Sequence, residues 1–194
     1  MLSENFAYPG LMKYFERISE IPRGSYNEAA IASYIENFAK ERGVKIVEMK
    51  AGDRVCSEKM EITCLAPAIE GDISANADIN ENSLVLQVEW KAKEESQKFV
   101  ALFAGDISME MEEVLCESEM LKDVDLVKAN HHGSTYSNGK LWFDTLCPEY
   151  IIVSCSAVNR YGHPGKEAVE RMEASGAQIF YTKEGGQITF PLIQ

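Results

Sequence analysis

The chain has 194 residues, 45% of them hydrophobic and 26% charged, which is the composition of a folded globular protein and not of a disordered one. Its 19 basic and 31 acidic residues give a formal net charge of −12, which excludes a general attraction to nucleic acid or anionic membranes. A polyanionic substrate would therefore need a local positive centre, such as a metal ion. No apolar run approaches the ~20 residues of a membrane span, and the N-terminus lacks the basic start and apolar stretch of a signal peptide. We expect a cytoplasmic chain without membrane contacts.

The residue pattern in the N-terminal part of the chain predicts two amphipathic helices. Apolar residues recur at helical spacing over 11–21 and again over 31–43. Between these stretches, Ser25 and Glu28 have the spacing of a capping box, which favours a helix start there. Beyond them the apolar period changes to two. We therefore divide the chain into a helical segment, 1–43, and a second domain, 44–194.

The second part alternates strand-like and helix-like segments. We predict strands at 44–47, 60–65, 83–90, 98–104, 124–129, 150–156, 178–182 and 187–191, and helices at 109–121, 140–146 and 166–174. The third and fourth strands are expected to form one hairpin, and the last two strands another. This alternation implies an α/β fold. Because the helices are few and hairpins occur, we favour a mixed sheet with helices on one face over a doubly wound parallel sheet.

A short polar loop, or tip, follows each of three predicted strands, and these tips contain every histidine of the chain. Asp106 ends one strand, His131 and His132 follow the next, and His163 follows the one after. Residues at neighbouring strand ends converge at one sheet edge, and one carboxylate with two or three imidazoles suits Zn²⁺ or Mn²⁺. Each tip taken alone also fits an ordinary turn or helix cap. Adjacent histidines point in different directions, so only one of the pair is an obvious ligand.

Three short motifs at these tips, in this order, resemble a known family. They are Ala104–Ile107, Val127–Ser134 and Asn159–Pro164. They are similar to the C-terminal half of a metallo-β-lactamase-superfamily hydrolase, and in particular to the extracytoplasmic domain of ComEC-type competence proteins. Further segments fit the same pattern in the same order, so that the resemblance covers about residues 44–190; these segments are 65–67, 82–86 and 181–186.

The resemblance implies part of an αββα fold and a two-metal site that activates a water for attack on phosphodiesters. By position, Asp106 would be the bridging carboxylate, and a histidine of the His131-His132 pair would be a metal ligand. His163 would sit over the substrate as a catalytic residue. The remaining implied residues are Tyr161, also catalytic, and Ser134 and Asn159, which would bind substrate.

The main metal motif of that family, HxHxDH, is absent because no histidine precedes His131. We therefore predict a truncated domain with an incomplete metal site, in which zinc or manganese binds weakly or not at all. Three functions stay open. The first is a ComEC-like hydrolase, ancestrally a metal-dependent phosphodiesterase or nuclease. The others are a non-catalytic remnant or interaction module, and a dipeptidase fragment without peptidase residues.

The dipeptidase alternative comes from the front of the chain. The stretches 14–28 and 34–43 resemble the N-terminus of Xaa-His dipeptidases, which are zinc metallopeptidases. That family's catalytic residues lie beyond the matching segment, and nothing in this sequence takes their place. The resemblance therefore implies a shared helical segment and carries no peptidase site.

An interface is predicted from the strands at 83–90 and 98–104. They are apolar at nearly every position, as strands covered on both faces are. The predicted helices cover one face, and the other would meet the missing half of the domain. We expect either a homodimer through this uncovered sheet face or poor solubility. A phosphodiester or nucleic-acid substrate is implied only by the resemblance.

Overall fold

The computed structural model describes residues 9–22, 28–67, 79–91, 98–118 and 120–190. It divides the chain into two compact units, Met1–Glu48 and Met49–Gln194. The predicted capping residue Ser25 and residues 92–97, which connect the two strands of the first predicted hairpin, lie outside the described residues.

The first unit contains the two predicted helices, α1 (Pro9–Glu20) and α2 (Ala29–Glu41). They pack together through Tyr14 and Phe38, whose rings meet edge to face with centroids 5.1 Å apart. The Arg42 guanidinium lies 3.5 Å from the centroid of the Phe38 ring, a cation–π contact. The chain leaves α2 through Gly43 at φ +66°, the left-handed conformation that commonly ends a helix.

The second unit is built on one seven-stranded mixed sheet, which confirms the predicted sheet type. Its strands lie side by side in sequence order; the first four are antiparallel neighbours, and the fourth to seventh are parallel neighbours. The strands are β1 (Arg54–Cys56), β2 (Met60–Ala66), β3 (Val85–Lys91), β4 (Lys98–Phe103), β5 (Leu126–Lys128), β6 (Tyr150–Val153) and β7 (Gln178–Tyr181).

Three helices connect the parallel strands: α3 (Met109–Glu117), α4 (Lys140–Leu146) and α5 (Lys166–Ala174). A short helix, α6 (Thr182–Gly185), follows β7. Alternate strand residues such as Leu102, Val127 and Ile151 form one buried cluster with Trp142 of α4 and Met172 of α5. All three connecting helices contribute to this cluster, so the core lies between them and one face of the sheet, as the sequence predicts.

Two predicted strands are wrong. Residues 44–47 form no strand: they belong to the helical unit, and the Val44 N–H bonds to the Ala39 carbonyl at the end of α2. The predicted C-terminal hairpin is also absent, because β7 pairs in parallel with β6 and the chain then turns into α6. Instead of pairing as a strand, this segment brings Phe190 against the ring of Tyr150, with centroids 5.1 Å apart.

Helix α3 is four residues shorter than predicted, because the Ser118 hydroxyl bonds to the Leu115 carbonyl and the backbone turns extended at Ser118. No helix in the part of the chain that the structure describes combines the length and apolarity needed to cross a bilayer.

Candidate functional site

The predicted site residues lie on three loops at the carboxyl ends of β4, β5 and β6. Asp106 follows β4, and a 3₁₀ turn, Asn130–Gly133, follows β5. His163 lies in the loop between β6 and α5. The first two loops are joined directly, because the His131 N–H donates to the Gly105 carbonyl over 3.0 Å. The predicted convergence of these tips at one sheet edge is confirmed.

The four central side chains form two pairs. The His132 Nε2 atom lies 3.9 Å from Asp106 Oδ1. The His131 and His163 rings meet edge to face with centroids 5.4 Å apart, and Tyr161 stacks on His163 at 5.8 Å. The adjacent histidines therefore do point in different directions. Their places are as expected, whereas their metal-binding and catalytic roles remain predictions.

The orientation of His132 distinguishes it from His131. Its Nδ1 atom lies 2.8 Å from the Ser154 carbonyl oxygen, which can only accept, so Nδ1 carries the proton in the neutral ring. The lone pair of Nε2 then faces the Asp106 carboxylate. A backbone carbonyl that fixes the far ring nitrogen is typical of metal-ligating histidines. His132 thus has one ring nitrogen fixed by a carbonyl and the other directed at Asp106, while its metal-binding role remains a prediction.

The turn that carries the two histidines is strained. His131 and His132 have φ values of +46° and +56°, in the left-handed region that costs a residue with a Cβ atom roughly 1–2 kcal/mol. Gly133 continues at φ +83°, and a Cβ atom there would lie 2.7 Å from Pro164 Cβ. The loop that carries His163 thus packs directly against this turn, held also by a 2.8 Å bond from the Gly165 N–H to the Gly133 carbonyl.

Two residues predicted to bind substrate each make hydrogen bonds within their own loop. The Asn159 amide donates to the His163 carbonyl over 2.7 Å and accepts from the His163 N–H over 2.9 Å. Ser134 is 3% exposed, and its hydroxyl accepts from the Tyr136 N–H within the turn. These contacts give both side chains a structural role, and the substrate-binding role remains a prediction.

A shallow cavity of about 490 Å³ opens beside the histidines. Tyr161 stands at its rim with 66% of its surface exposed, and the Arg160 guanidinium lies 4.7 Å from the centroid of its ring. Four of the seven predicted site residues thus line a space large enough for a small ligand, whereas Asp106, His131 and Ser134 do not line it. The lining residues are His132, Ser154, Cys155, Ser156, Asn159, Tyr161, His163 and Thr182.

Sequence reasoning missed a lysine beside the site. Lys128 ends β5, and its ammonium group donates to the Ala129 carbonyl over 2.9 Å. Burial lowers the pKa of Lys128, and the nearby Asp106 carboxylate acts in the opposite direction. The available signal was a lysine within an otherwise apolar buried strand. Lys128 brings a positive charge close to Asp106 in a chain that is acidic overall.

The pKa of His163 is lowered, first by burial and then by His131 and His132, while Asp106 opposes the shift. The folded protein therefore favours the neutral ring. We expect His163 to titrate below the ordinary histidine range in a two-dimensional NMR pH series. His131→Gln should raise this pKa, because it removes the electrostatic influence of the His131 ring that lowers it. A His163 pKa at or above the ordinary value would contradict the prediction.

The donor atoms of the site do not make a complete metal centre. Among the described residues, no group of three or more His, Cys, Asp or Glu side chains is arranged to hold an ion. Asp106 and His132 together supply two donors, whereas zinc sites in proteins take three or four protein ligands. The donor set therefore does not fit a resident two-metal centre.

Comparisons with known proteins point to competence proteins. No model of a known protein family matches the chain. It is 27% identical over 170 residues to ComE operon protein 3 of Bacillus subtilis (strain 168), a match covering 88% of this chain and 20% of that protein. It is 32% identical over 62 residues to competence protein ComA of Neisseria gonorrhoeae, covering 32% of this chain and 9% of that protein.

The chain thus spans a fifth or less of the length of these curated relatives. Among solved structures it is similar to a Parabacteroides distasonis protein with the provisional name metal-dependent hydrolase. The TM-score is 0.43 at 16% identity, covering 76% of this chain and 62% of that one. The predicted similarity to competence proteins is confirmed, whereas these relatives give no support to the predicted likeness of residues 1–43 to Xaa-His dipeptidases.

Proposed function

We propose that this chain is a ComEC-like domain of the metallo-β-lactamase type, descended from metal-dependent phosphodiesterases or nucleases, and that its own hydrolytic site is incomplete. The observation that carries the proposal is the similarity to ComE operon protein 3 across 88% of the chain. The clustering of Asp106, His132, His131 and His163 at one sheet edge supports it, because these are the residues that the family resemblance implies.

The chemistry available to the isolated chain is limited to binding and orientation. The Ser154 carbonyl fixes the His132 ring against Asp106, and Tyr161 with Arg160 forms an exposed aromatic and cationic surface beside it. In the chemistry that the family resemblance implies, a bound metal generates the nucleophile from water, and the described residues offer no group of three or more ligands to hold one. The substrate class of the proposal is a phosphodiester. We therefore expect the site to bind and orient a phosphodiester without cleaving it.

The decisive experiment measures metal content and turnover together. After dialysis against zinc or manganese and then metal-free buffer, elemental analysis should find well under one ion per chain. Hydrolysis of bis(p-nitrophenyl) phosphate and of single-stranded DNA should stay at background. Asp106→Ala and, as a control, the exposed Asp144→Ala should change neither result. A stoichiometric ion and measurable turnover, both lost in Asp106→Ala and kept in Asp144→Ala, would show a complete enzyme.

A second candidate function, a non-catalytic interaction module, is favoured by the apolar sheet face turned away from the helices. Phe103 of β4 lies on that face with 39% of its surface exposed, although its strand neighbour Leu102 is fully buried in the core. An interaction module would need no metal. A result of no bound metal and no turnover in the same assay is therefore compatible with this function.

A further inference from the structure

A buried carboxylate lies beneath the histidine turn. Glu112 of α3 is 1% exposed, and each of its oxygens accepts hydrogen bonds from the segment after β5. Oε1 accepts from the Asn130 side-chain amide and from the Asn138 N–H, both over 2.6 Å, and Oε2 accepts from the Gly139 N–H over 2.7 Å. Burial raises the pKa of Glu112, and these donors act in the opposite direction. An acid in such a place is costly unless its partners fix it there.

The partners of Glu112 also hold each other. The Asn130 N–H donates to Asn138 Oδ1, and the Asn138 side-chain amide donates back to the Asn130 carbonyl, each over 2.9 Å. Asn138 thus clamps the backbone of the residue immediately before His131. With Glu112 bonded to both asparagines, the contacts form a closed buried ring at the start of the histidine turn.

Arg171 of α5 holds the same segment from its other side. Its guanidinium donates to the carbonyls of Asn138, Thr135 and Ser137 over 2.7–3.0 Å. The Asn138 and Gly139 N–H groups therefore go to a carboxylate, and the three carbonyls bound by Arg171 go to a guanidinium. Opposite charges on the two sides fix the path of residues 130–139 more firmly than turn chemistry alone.

This bracing explains how the turn keeps an unfavourable conformation. Left-handed backbone at two consecutive histidines persists only where the surroundings over-determine it. We propose that Glu112 is a positioning residue, which fixes Asn130 and Asn138 so that the strained turn directs His132 toward Asp106. The inference deepens the proposed function, since it concerns the same site, but it requires neither a bound metal nor turnover.

The test follows the ring of His132 by long-range ¹H–¹⁵N NMR on the full chain. In the wild type, the Ser154 carbonyl should hold His132 as a single tautomer with its proton on Nδ1. Glu112→Ala should remove that preference, so that the two ring nitrogens move toward the averaged shifts of a free histidine. Glu112→Gln should restore much of the preference, because the glutamine oxygen still accepts from Asn130 and Asn138.

A matched control separates positioning from general destabilisation. Leu115 is buried on the same helix, three residues further on. Leu115→Ala should lower the unfolding midpoint but leave the His132 tautomer unchanged. Asn138→Gly provides a second variant in case Glu112→Ala does not fold: glycine tolerates the φ of +66° at this position but removes the clamp on Asn130.

The outcomes are distinct. Loss of the His132 tautomer in Glu112→Ala or Asn138→Gly, with the tautomer intact in Leu115→Ala, supports the proposal. A wild-type His132 pattern in folded Glu112→Ala overturns it, whatever Asn138→Gly shows, and if Glu112→Ala does not fold, a wild-type pattern in Asn138→Gly overturns it; an equal change in Leu115→Ala also overturns it. Because the readout uses no substrate and no metal, a failed hydrolase assay and a failed positioning test are distinguishable.

Discussion

Replacing Trp142 by alanine should lower the free energy of unfolding by about 3–5 kcal/mol, the usual range for removing a buried tryptophan. Trp142 lies on α4, is fully buried, and belongs to the cluster between the helices and the sheet. Because small domains are stable by only about 5–15 kcal/mol, this single change should remove a large part of the total. Urea unfolding followed by far-UV circular dichroism measures it.

A phenylalanine at the same position is the matched control. The Trp142 Nε1 atom has no hydrogen-bond partner in the described part of the chain, so Trp142→Phe breaks no hydrogen bond that the structure shows. It retains much of the ring volume, and its cost should be well below half that of alanine. Equal losses for the two variants, or an alanine variant within 1 kcal/mol of wild type, would be inconsistent with a core centred on α4.

The helices of the second unit show what local sequence determines. The predicted spans 140–146 and 166–174 match α4 and α5 at both ends. Each helix follows a glycine with an extended backbone and buries apolar residues against the sheet, although Leu141 of α4 is exposed. Here the propensity, the pattern and the tertiary environment agree, which is the situation in which sequence reasoning succeeds.

The two wrong strands show where tertiary context overrides the pattern. The segment 44–47 has the alternation of a strand, but its unit contains two helices and offers no strand in the described residues to pair with it. The segment after β7 has apolar residues as well, but it contributes Phe190 to an aromatic contact with Phe180, at 5.7 Å between centroids. Alternation of apolar and polar residues indicates a segment with one buried side. Such a segment forms a strand only where another strand is available to pair with it.

The site was predictable in outline and not in detail. Strand-end logic brings Asp106, His131 and His163 together, because neighbouring parallel strands end at one edge. The orientation of His132 depends on a left-handed turn and on the carbonyl of Ser154, 22 residues away. Neither is visible in a local pattern. Glu112 was missed for a similar reason: near the start of α3 it is one of three glutamates, and only the fold shows which is buried.

The oligomeric state of the protein in solution should depend on the apolar sheet face that points away from α3, α4 and α5. Phe103 lies on this face. Side chains alternate along β4, so that Val100 and Leu102 enter the core while Phe99 and Phe103 point to the opposite face. Residues in register with Phe103 share this face: they are Leu86 of β3 and, on the other side, Lys128 of β5. Phe190 packs against Phe99 there, which covers part of the face from within the chain.

We predict that a second copy covers the remainder, so that the chain is a homodimer. Light scattering coupled to size exclusion should give twice the monomer mass of 21.7 kDa at tens of micromolar protein. Because each copy carries a formal charge of −12, added salt should strengthen the association by screening the repulsion between copies. Phe103→Glu should shift the protein to monomer, since burying a carboxylate against a second copy costs desolvation free energy even beside Lys128, which lies in register on the same face.

The control for this prediction is Val114→Glu, on the outer side of α3, where the valine is 60% exposed and belongs to the layer of helices. The same charge placed there should leave the dimer intact. If wild type and both variants are monomers that bind no hydrophobic dye, the sheet face is closed within a single chain and the predicted interface does not exist. If Val114→Glu dissociates the dimer and Phe103→Glu does not, the two copies meet through the helices, and the apolar face of the sheet needs another explanation.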